Sequence, residues 1–204
     1  MDPFYYEGLA RNSGYGLVAG LDECGRGPLA GPVVAAAVIL PEDARLSGIR
    51  DSKKMTARSR EEAFPIIQRE ALSFGIGVVS HRYIDEFNIL RASLEAMLRA
   101  VSALARPPEF LLVDGIHPVP ISTPQRCIKR GDQLSRSISA ASVLAKVYRD
   151  RIMLCYHNQY PLYGFDRHKG YGTVRHMEAL KRYGHCPIHR ISFKGVLRGD
   201  KEKT

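Results

Sequence analysis

This chain of 204 residues contains no apolar run approaching the roughly 20 residues that cross a bilayer. Its first stretch, MDPFYYEGLARNSGYG, has neither the basic segment nor the apolar segment of an export signal, so the cytosol is the expected compartment and no membrane the expected partner. The four cysteines, Cys24, Cys127, Cys155 and Cys186, are far apart and form no CxxC pair. That spacing suggests neither a disulfide framework nor a zinc ribbon, and the cysteines read as reduced thiols. No G-x-x-x-x-G-K-[ST] string occurs, which argues against a P-loop ATPase. Internal repeats and low-complexity tracts are also missing. With 45% hydrophobic residues the chain can bury one core, and a single domain is expected over 1–204.

What the chain does have is an uneven distribution of charge. Residues 125–204 hold 17 Lys/Arg against 6 Asp/Glu, while residues 1–124 hold 13 against 15. A basic C-terminal part of this kind suits a polyanion, nucleic acid first among them, although a basic surface kept for solubility gives the same count.

Hydrophobic patterning places strands at GLVAGLDE (16–23) and VVAAAVIL (33–40), close enough for an antiparallel connection. A helix is expected over Thr56–Leu72, interrupted at Pro65. SFGIGVVS (73–80) reads as a strand, and a single long core-facing helix is expected from Ile84 to Leu104. Two short strands follow, EFLLVDG (109–115) and RCIKRGD (126–132), then a helix over 137–156. Residues 1–16 read as an N-terminal extension and 157–204 as a polar, basic portion rich in Gly, Tyr and His. The fold class is therefore α/β.

Three stretches end a presumed strand with an acid beside glycine: Asp22 and Glu23, Asp114, and Asp132. Functional groups gather at the carboxyl ends of strands in open α/β sheets. A single strand-end Asp followed by Gly is more often a turn residue, but four acids at three ends repeat the coincidence. Carboxylates clustered in a basic protein suit hard cations such as Mg²⁺, and a pair of these can clamp a phosphodiester. Asp22 and Glu23 raise a difficulty, because neighbours on a strand point to opposite faces. Ending the strand at that point would let both turn to one side.

GRGPLA also satisfies G-x-G-x-x-A, the dinucleotide fingerprint, but that fingerprint must open a helix. Here Pro32 would fall inside the helix and a β-like run follows. His168, His176, His185 and His189 with Cys186 fit no usual zinc spacing. Carboxylates beside Cys24 would raise its thiol pKa, the opposite of what a nucleophile needs.

The strings LDECGRGPLAGPVVAAAVIL, RDSKKMT, LLVDG, RGDQLSRSISAASVLAKVYRDR and HKGYGTVRHMEAL, in this order, resemble bacterial ribonuclease HII over about Gly16 to Leu197. The resemblance implies an RNase H-like fold, with a five-stranded mixed sheet flanked by helices and a helical C-terminal portion closing over the substrate. It implies that Asp22, Glu23, Asp114 and Asp132 are the catalytic, metal-holding acids, with Mg²⁺ or Mn²⁺ as cofactor. It further implies that RNA/DNA hybrids and DNA duplexes containing ribonucleotides are the substrates. Ribonuclease HIII has Glu as its fourth acid and a longer N-terminal part, so Asp132 and the short lead before the first strand favour HII. Gly25, Arg26, Gly27 and Tyr171 match the elements that sense a ribose 2′-OH, while Lys53, Lys54, Lys146 and Arg149 look like phosphate contacts, a solvated face being the usual alternative. Two departures stand out. Cys24 replaces a more usual Ala, which would make the site sensitive to oxidation, and Gln133, Leu134 and Ser135 separate Asp132 from the next basic residue. A monomer is expected.

Overall fold

The computed structural model describes residues 2–46, 48 and 55–197. Its sheet is built from β1 (Val18–Cys24), β2 (Val33–Ile39), β3 (Ser73–Val79), β4 (Phe110–Asp114) and β5 (Gln125–Ile128) in the order β3-β2-β1-β4-β5. Pairings β1–β2 and β2–β3 are antiparallel, whereas β1–β4 and β4–β5 are parallel. This is the mixed five-stranded sheet that the resemblance implied.

The continuous apolar run VVAAAVI makes sense in β2, which is buried along its whole length between helices on both faces. On one face α4 (Ile89–Ser102) brings Ala92, Ala96, Met97, Ala100 and Val101 against Ala19, Leu21, Ala35 and Ala37. On the other, α6 (Arg136–Gln159) brings Ala140, Ala141, Val143, Leu144 and Val147 against Val34, Ala36 and Val38. Small side chains let the layers come close, and at one point nothing larger than hydrogen fits. A Cβ on Gly20 would run into the backbone of Ser137 and Ile138, so the glycine sets how near α6 lies to β1.

The entry to α6 is anchored by the opposite end of the chain. Helix α1 (Tyr5–Asn12) carries Glu7, which is buried and accepts from the Ser135 hydroxyl at 2.7 Å and the Ser137 N–H at 2.8 Å. A carboxylate at a helix N-terminus meets both its free N–H groups and its dipole. Residues before β1 are thus part of the domain's framing.

Helix α2 (Ala57–Glu70) runs through Pro65 without interruption, contrary to expectation. The proline is on the exposed side, so the carbonyl it leaves without a donor can turn to water. The expected single helix from Ile84 is two: α3 (His81–Phe87) and α4 are separated by Asn88, whose φ is 74°. Its side chain accepts from the N–H groups of Leu90 at 2.9 Å and Arg91 at 3.1 Å. Asn tolerates this left-handed conformation and caps the second helix, a break that apolar spacing cannot reveal. Asp132, expected at a strand end, is in the first turn of the short α5 (Gly131–Leu134) after β5. Beyond α6 the chain forms a 3-10 turn (Pro161–Tyr163), α7 (Phe165–His168) and α8 (Val174–Tyr183). Among the described residues no helix is long and apolar enough to cross a membrane.

Candidate active site

The parallel register pairs Leu21 with Val113, which sets Asp22 and Asp114 side by side at the ends of β1 and β4. Alternation along β1 does not break. Ala19 and Leu21 pack under α4, Gly20 meets α6, and the strand continues through Asp22 and Glu23 to Cys24, which pairs with Val34. The expectation that both acids turn to one face is therefore corrected. Asp22 faces α6 and its Ser142, whereas Glu23 lies on the α4 side beside Ser93 and Met97. They still share a cavity because it wraps round the end of the sheet. This space of about 260 Å³ is lined by Asp22, Glu23 and Asp114 together with Arg26, Lys146 and Tyr171. A neighbouring cleft of about 240 Å³ adjoins Glu23 and Asp114 on the apolar flank of α4.

The acids oppose one another. Burial pushes the Asp22 carboxyl well above the usual range, and the nearby Glu23 and Asp114 carboxylates push it further, against hydrogen bonds from Ser142 and from the Glu23 N–H at 2.7 Å. Glu23 is also raised, chiefly by burial, although Arg26 Nη1 donates to it at 3.1 Å. Asp114 accepts from the Gly131 N–H at 2.7 Å. Asp132, next in the chain after Gly131, is 2% exposed and does not line the cavity. Among the described residues no three His, Cys, Asp or Glu side chains are grouped so that they could hold a metal ion as they stand. The residue types nonetheless fit a hard cation: the donors are all oxygen, half-buried or buried, and Asp22 feels the repulsion of Glu23 and Asp114, which positive charge would relieve.

The segment from Gly25 to Pro32 forms the cavity's second wall, held from behind by two arginines. Arg149, 0% exposed, donates from Nε to the Pro32 carbonyl at 3.0 Å, from Nη2 to Ala30 at 3.2 Å and from Nη1 to Lys169 at 3.0 Å. It is therefore a framework residue and makes no phosphate contact, contrary to expectation. Arg190 donates to the carbonyls of Gly25 at 2.6 Å, Arg26 at 3.0 Å and Gly31 at 2.9 Å. Gly25 has φ 101°, and a Cβ there would strike the Arg149 side chain, so only glycine serves. Sequence reading missed Arg190. Its one signal is a lone cation set among the apolar residues of PIHRISF.

The C-terminal portion is tied to this segment by backbone bonds, Leu29 N–H to Gly170 O at 2.8 Å and Gly31 N–H to Ile188 O at 2.9 Å. Tyr171 is thereby brought beside Gly27 and remains 44% exposed on the cavity. Lys146 reaches the same cavity from α6 and donates to Asp150 at 2.8 Å. Lys53 and Lys54 lie outside the described residues. The Cys24 thiol is raised, as expected, but burial is the main cause, with Asp150 and Asp22 adding less; the residue is half-buried and lines the cavity.

The model of the family described as Ribonuclease HII matches residues 19–196. The chain belongs to the ribonuclease HII family. Ribonuclease HII of Syntrophotalea carbinolica is 54% identical over 196 residues, covering 96% of this chain and 94% of the relative. That of Geotalea uraniireducens is 55% identical over 191 residues, covering 94% and 88%. In three dimensions the chain is similar to ribonuclease H2 from Pyrococcus horikoshii, with a TM-score of 0.76 and 28% identity over 88% of this chain and 95% of that one. As a member of this family the chain is a ribonuclease H, a hydrolase acting on the RNA of RNA/DNA hybrids.

Proposed function

We propose that this ribonuclease HII cuts at ribonucleotides embedded in duplex DNA as well as in hybrids, leaving 3′-OH and 5′-phosphate ends. The observation that carries this reading is one cavity lined by acids, Arg26 and the half-exposed Tyr171. Asp22, Glu23 and Asp114 would hold two divalent cations, Mg²⁺ or Mn²⁺, with Asp132, which does not line the cavity, as the fourth acid that the resemblance implies. Bound there, such a pair would supply water activation and charge neutralisation at the leaving oxygen.

The chain's own groups supply the rest. The glycines at 25 and 27 let the backbone approach a sugar, and Arg26, 48% exposed along its side chain while touching Glu23, can swing to a phosphate. Tyr171 offers a ring face to the neighbouring sugar and a hydroxyl to the 2′-OH, the group that distinguishes RNA from DNA whatever the base. Among the described residues no histidine lines this cavity, and the reading requires none as base. All these residues come from one chain, and a monomer suffices.

Duplexes carrying no ribonucleotide, one ribonucleotide, a full RNA strand or a four-way junction, incubated with Mg²⁺ or Mn²⁺, test the reading. Cutting should follow the 2′-OH; cutting of the junction or of all-DNA duplex would refute it. Tyr171→Phe removes the hydroxyl alone and should slow cleavage at a single ribonucleotide by about tenfold, as loss of one hydrogen bond predicts.

A further inference from the structure

Behind Tyr171 lies a polar cluster that the acids and the glycine segment do not use. His176 and His189 are 0% and 2% exposed, and neither reaches the cavity. His189 Nδ1 lies 2.9 Å from the Cys186 N–H and 3.2 Å from the Cys186 carbonyl; the shorter contact, together with the Tyr171 carbonyl that needs a proton from His176 Nδ1, puts the lone pair of His189 on Nδ1 and the proton of its neutral ring on Nε2. His189 Nε2 is 3.0 Å from His176 Nε2. One proton serves that contact and His189 holds it, which leaves the His176 proton on Nδ1. That Nδ1 is 2.9 Å from the Tyr171 carbonyl oxygen. The hydrogen bonds thus assign both tautomers and run in one direction, from the Cys186 backbone through two rings to Tyr171.

The surroundings keep the relay neutral. Burial pushes His176 and His189 down to about 4, and the Cys186 thiol, 3.1 Å from His189 Nδ1, up to about 11. His168 stacks on His176 at 4.5 Å and Tyr163 lies 5.0 Å from His189, while His81 and His185 also disfavour charge on His189. Tyr171 is held on both sides: its N–H donates to the His168 carbonyl at 2.9 Å, and its carbonyl accepts from the Thr173 N–H at 2.8 Å as well as from His176.

We propose that His176 and His189 are positioning residues that fix the main chain of Tyr171 and so the angle at which its ring and hydroxyl meet the substrate ribose. This rests on the ribose-sensing reading of Tyr171 given above. Asn places an amide donor near the imidazole Nδ1 position, whereas Gln reaches toward Nε2 and gives nothing to the Tyr171 carbonyl. With a duplex carrying one ribonucleotide, His176→Gln should lower kcat/KM about five- to tenfold. His176→Asn should stay within about twofold of wild type, and both should bind all-DNA duplex with unchanged Kd. A normal Gln variant, or an equal loss in both, overturns the proposal, because equal loss marks simple packing. If neither variant folds, imidazole ¹⁵N spectra of the wild-type protein at pH near 6.5 decide: His176 as the Nδ1–H tautomer with His189 as Nε2–H supports the relay, and any other pair refutes it. Tyr171→Phe separates the two layers. Normal cleavage by that variant removes the sensing role itself, whereas a slowed Tyr171→Phe beside a fully active His176→Gln removes the positioning role alone.

Discussion

Two buried polar regions face each other across the Gly25–Pro32 segment, and they treat charge in opposite ways. At the sheet end, Asp22, Glu23 and Asp114 share a cavity, and burial and mutual repulsion raise Asp22 well above its usual range. In the seam with the C-terminal portion, Arg149 and Arg190 are both 0% exposed, and each is ringed by main-chain carbonyls. Burial lowers Arg190 to about 9, with Arg149 adding to the effect, so it still carries its charge at neutral pH. A buried charge costs several kcal/mol unless polar groups meet it. The arginines sit among carbonyl dipoles that favour their charge, whereas the acids, although each accepts hydrogen bonds, are crowded by one another. Charge matched by dipoles here marks architecture, and crowded like charge marks the place where a cation and a phosphate are wanted.

The largest effect should come from removing one of the crowded acidic charges. Asp114→Asn or Asp22→Asn should lower hybrid cleavage by about 10³-fold or more, as loss of a group acting in the transition state does. Neither should lower the melting temperature of the cation-free protein, because repulsion goes with the charge. Removing a satisfied charge should do the reverse. Arg190→Met leaves the Gly25, Arg26 and Gly31 carbonyls without their donor and should cost about 3 kcal/mol or more, a fall of roughly 6–12 °C. If Arg190→Met melts no earlier than Asp22→Asn, the distinction between the regions fails.

The acids and the buried histidines behind Tyr171 also answer pH with opposite signs. Asp22 is raised, so the stability it lends is complete below the unfolded value of about 3.9 and declines as pH climbs toward the folded one. His176 and His189 are depressed to about 4, so their contribution is complete above about 6.5 and is lost as pH falls toward 4. A divalent cation relieves only the acids. Melting curves at neutral pH should therefore rise by about 2.7 kcal/mol equivalent at a hundredfold excess of Mg²⁺ over its Kd. Near pH 4, with Asp22 protonated, or in Asp22→Asn, the rise should shrink.

Sequence reading served these regions unequally, for a physical reason. Acids and glycines at strand ends leave local signals, and the succession of strands along the chain and the place of Asp22, Glu23 and Asp114 at strand ends could be read from them, whereas the mixed five-stranded sheet came from the resemblance. What failed depended on contacts between distant parts. Arg149 resembles any solvated helix cation until Pro32 and Ala30 fold against it, and Arg190 reaches back 165 residues to Gly25. The histidines looked like a basic tail because their partners, Cys186 and Tyr171, are revealed by the turn of the chain between them. Asn88 was hidden differently: periodicity sees which residues are apolar, whereas a cap is made by one polar side chain and two backbone N–H groups.

Lys146 belongs to neither region and gives the finest test. It lies three residues before Arg149 on α6, lines the acidic cavity, and is half-satisfied by an ion pair with Asp150 at 2.8 Å. Both side chains are partly exposed, 23% and 18%, so screening keeps that pair's own contribution small. Lys146→Met should leave the melting temperature within about 2 °C of wild type and weaken duplex binding by a fewfold, alike with and without a ribonucleotide. The slope of log Kd against log salt should fall by about 1, the signature of one lost phosphate contact. An unchanged slope would place Lys146 with the architectural cations, and a loss confined to ribonucleotide-bearing duplex would place it with Tyr171 as a reader of the sugar.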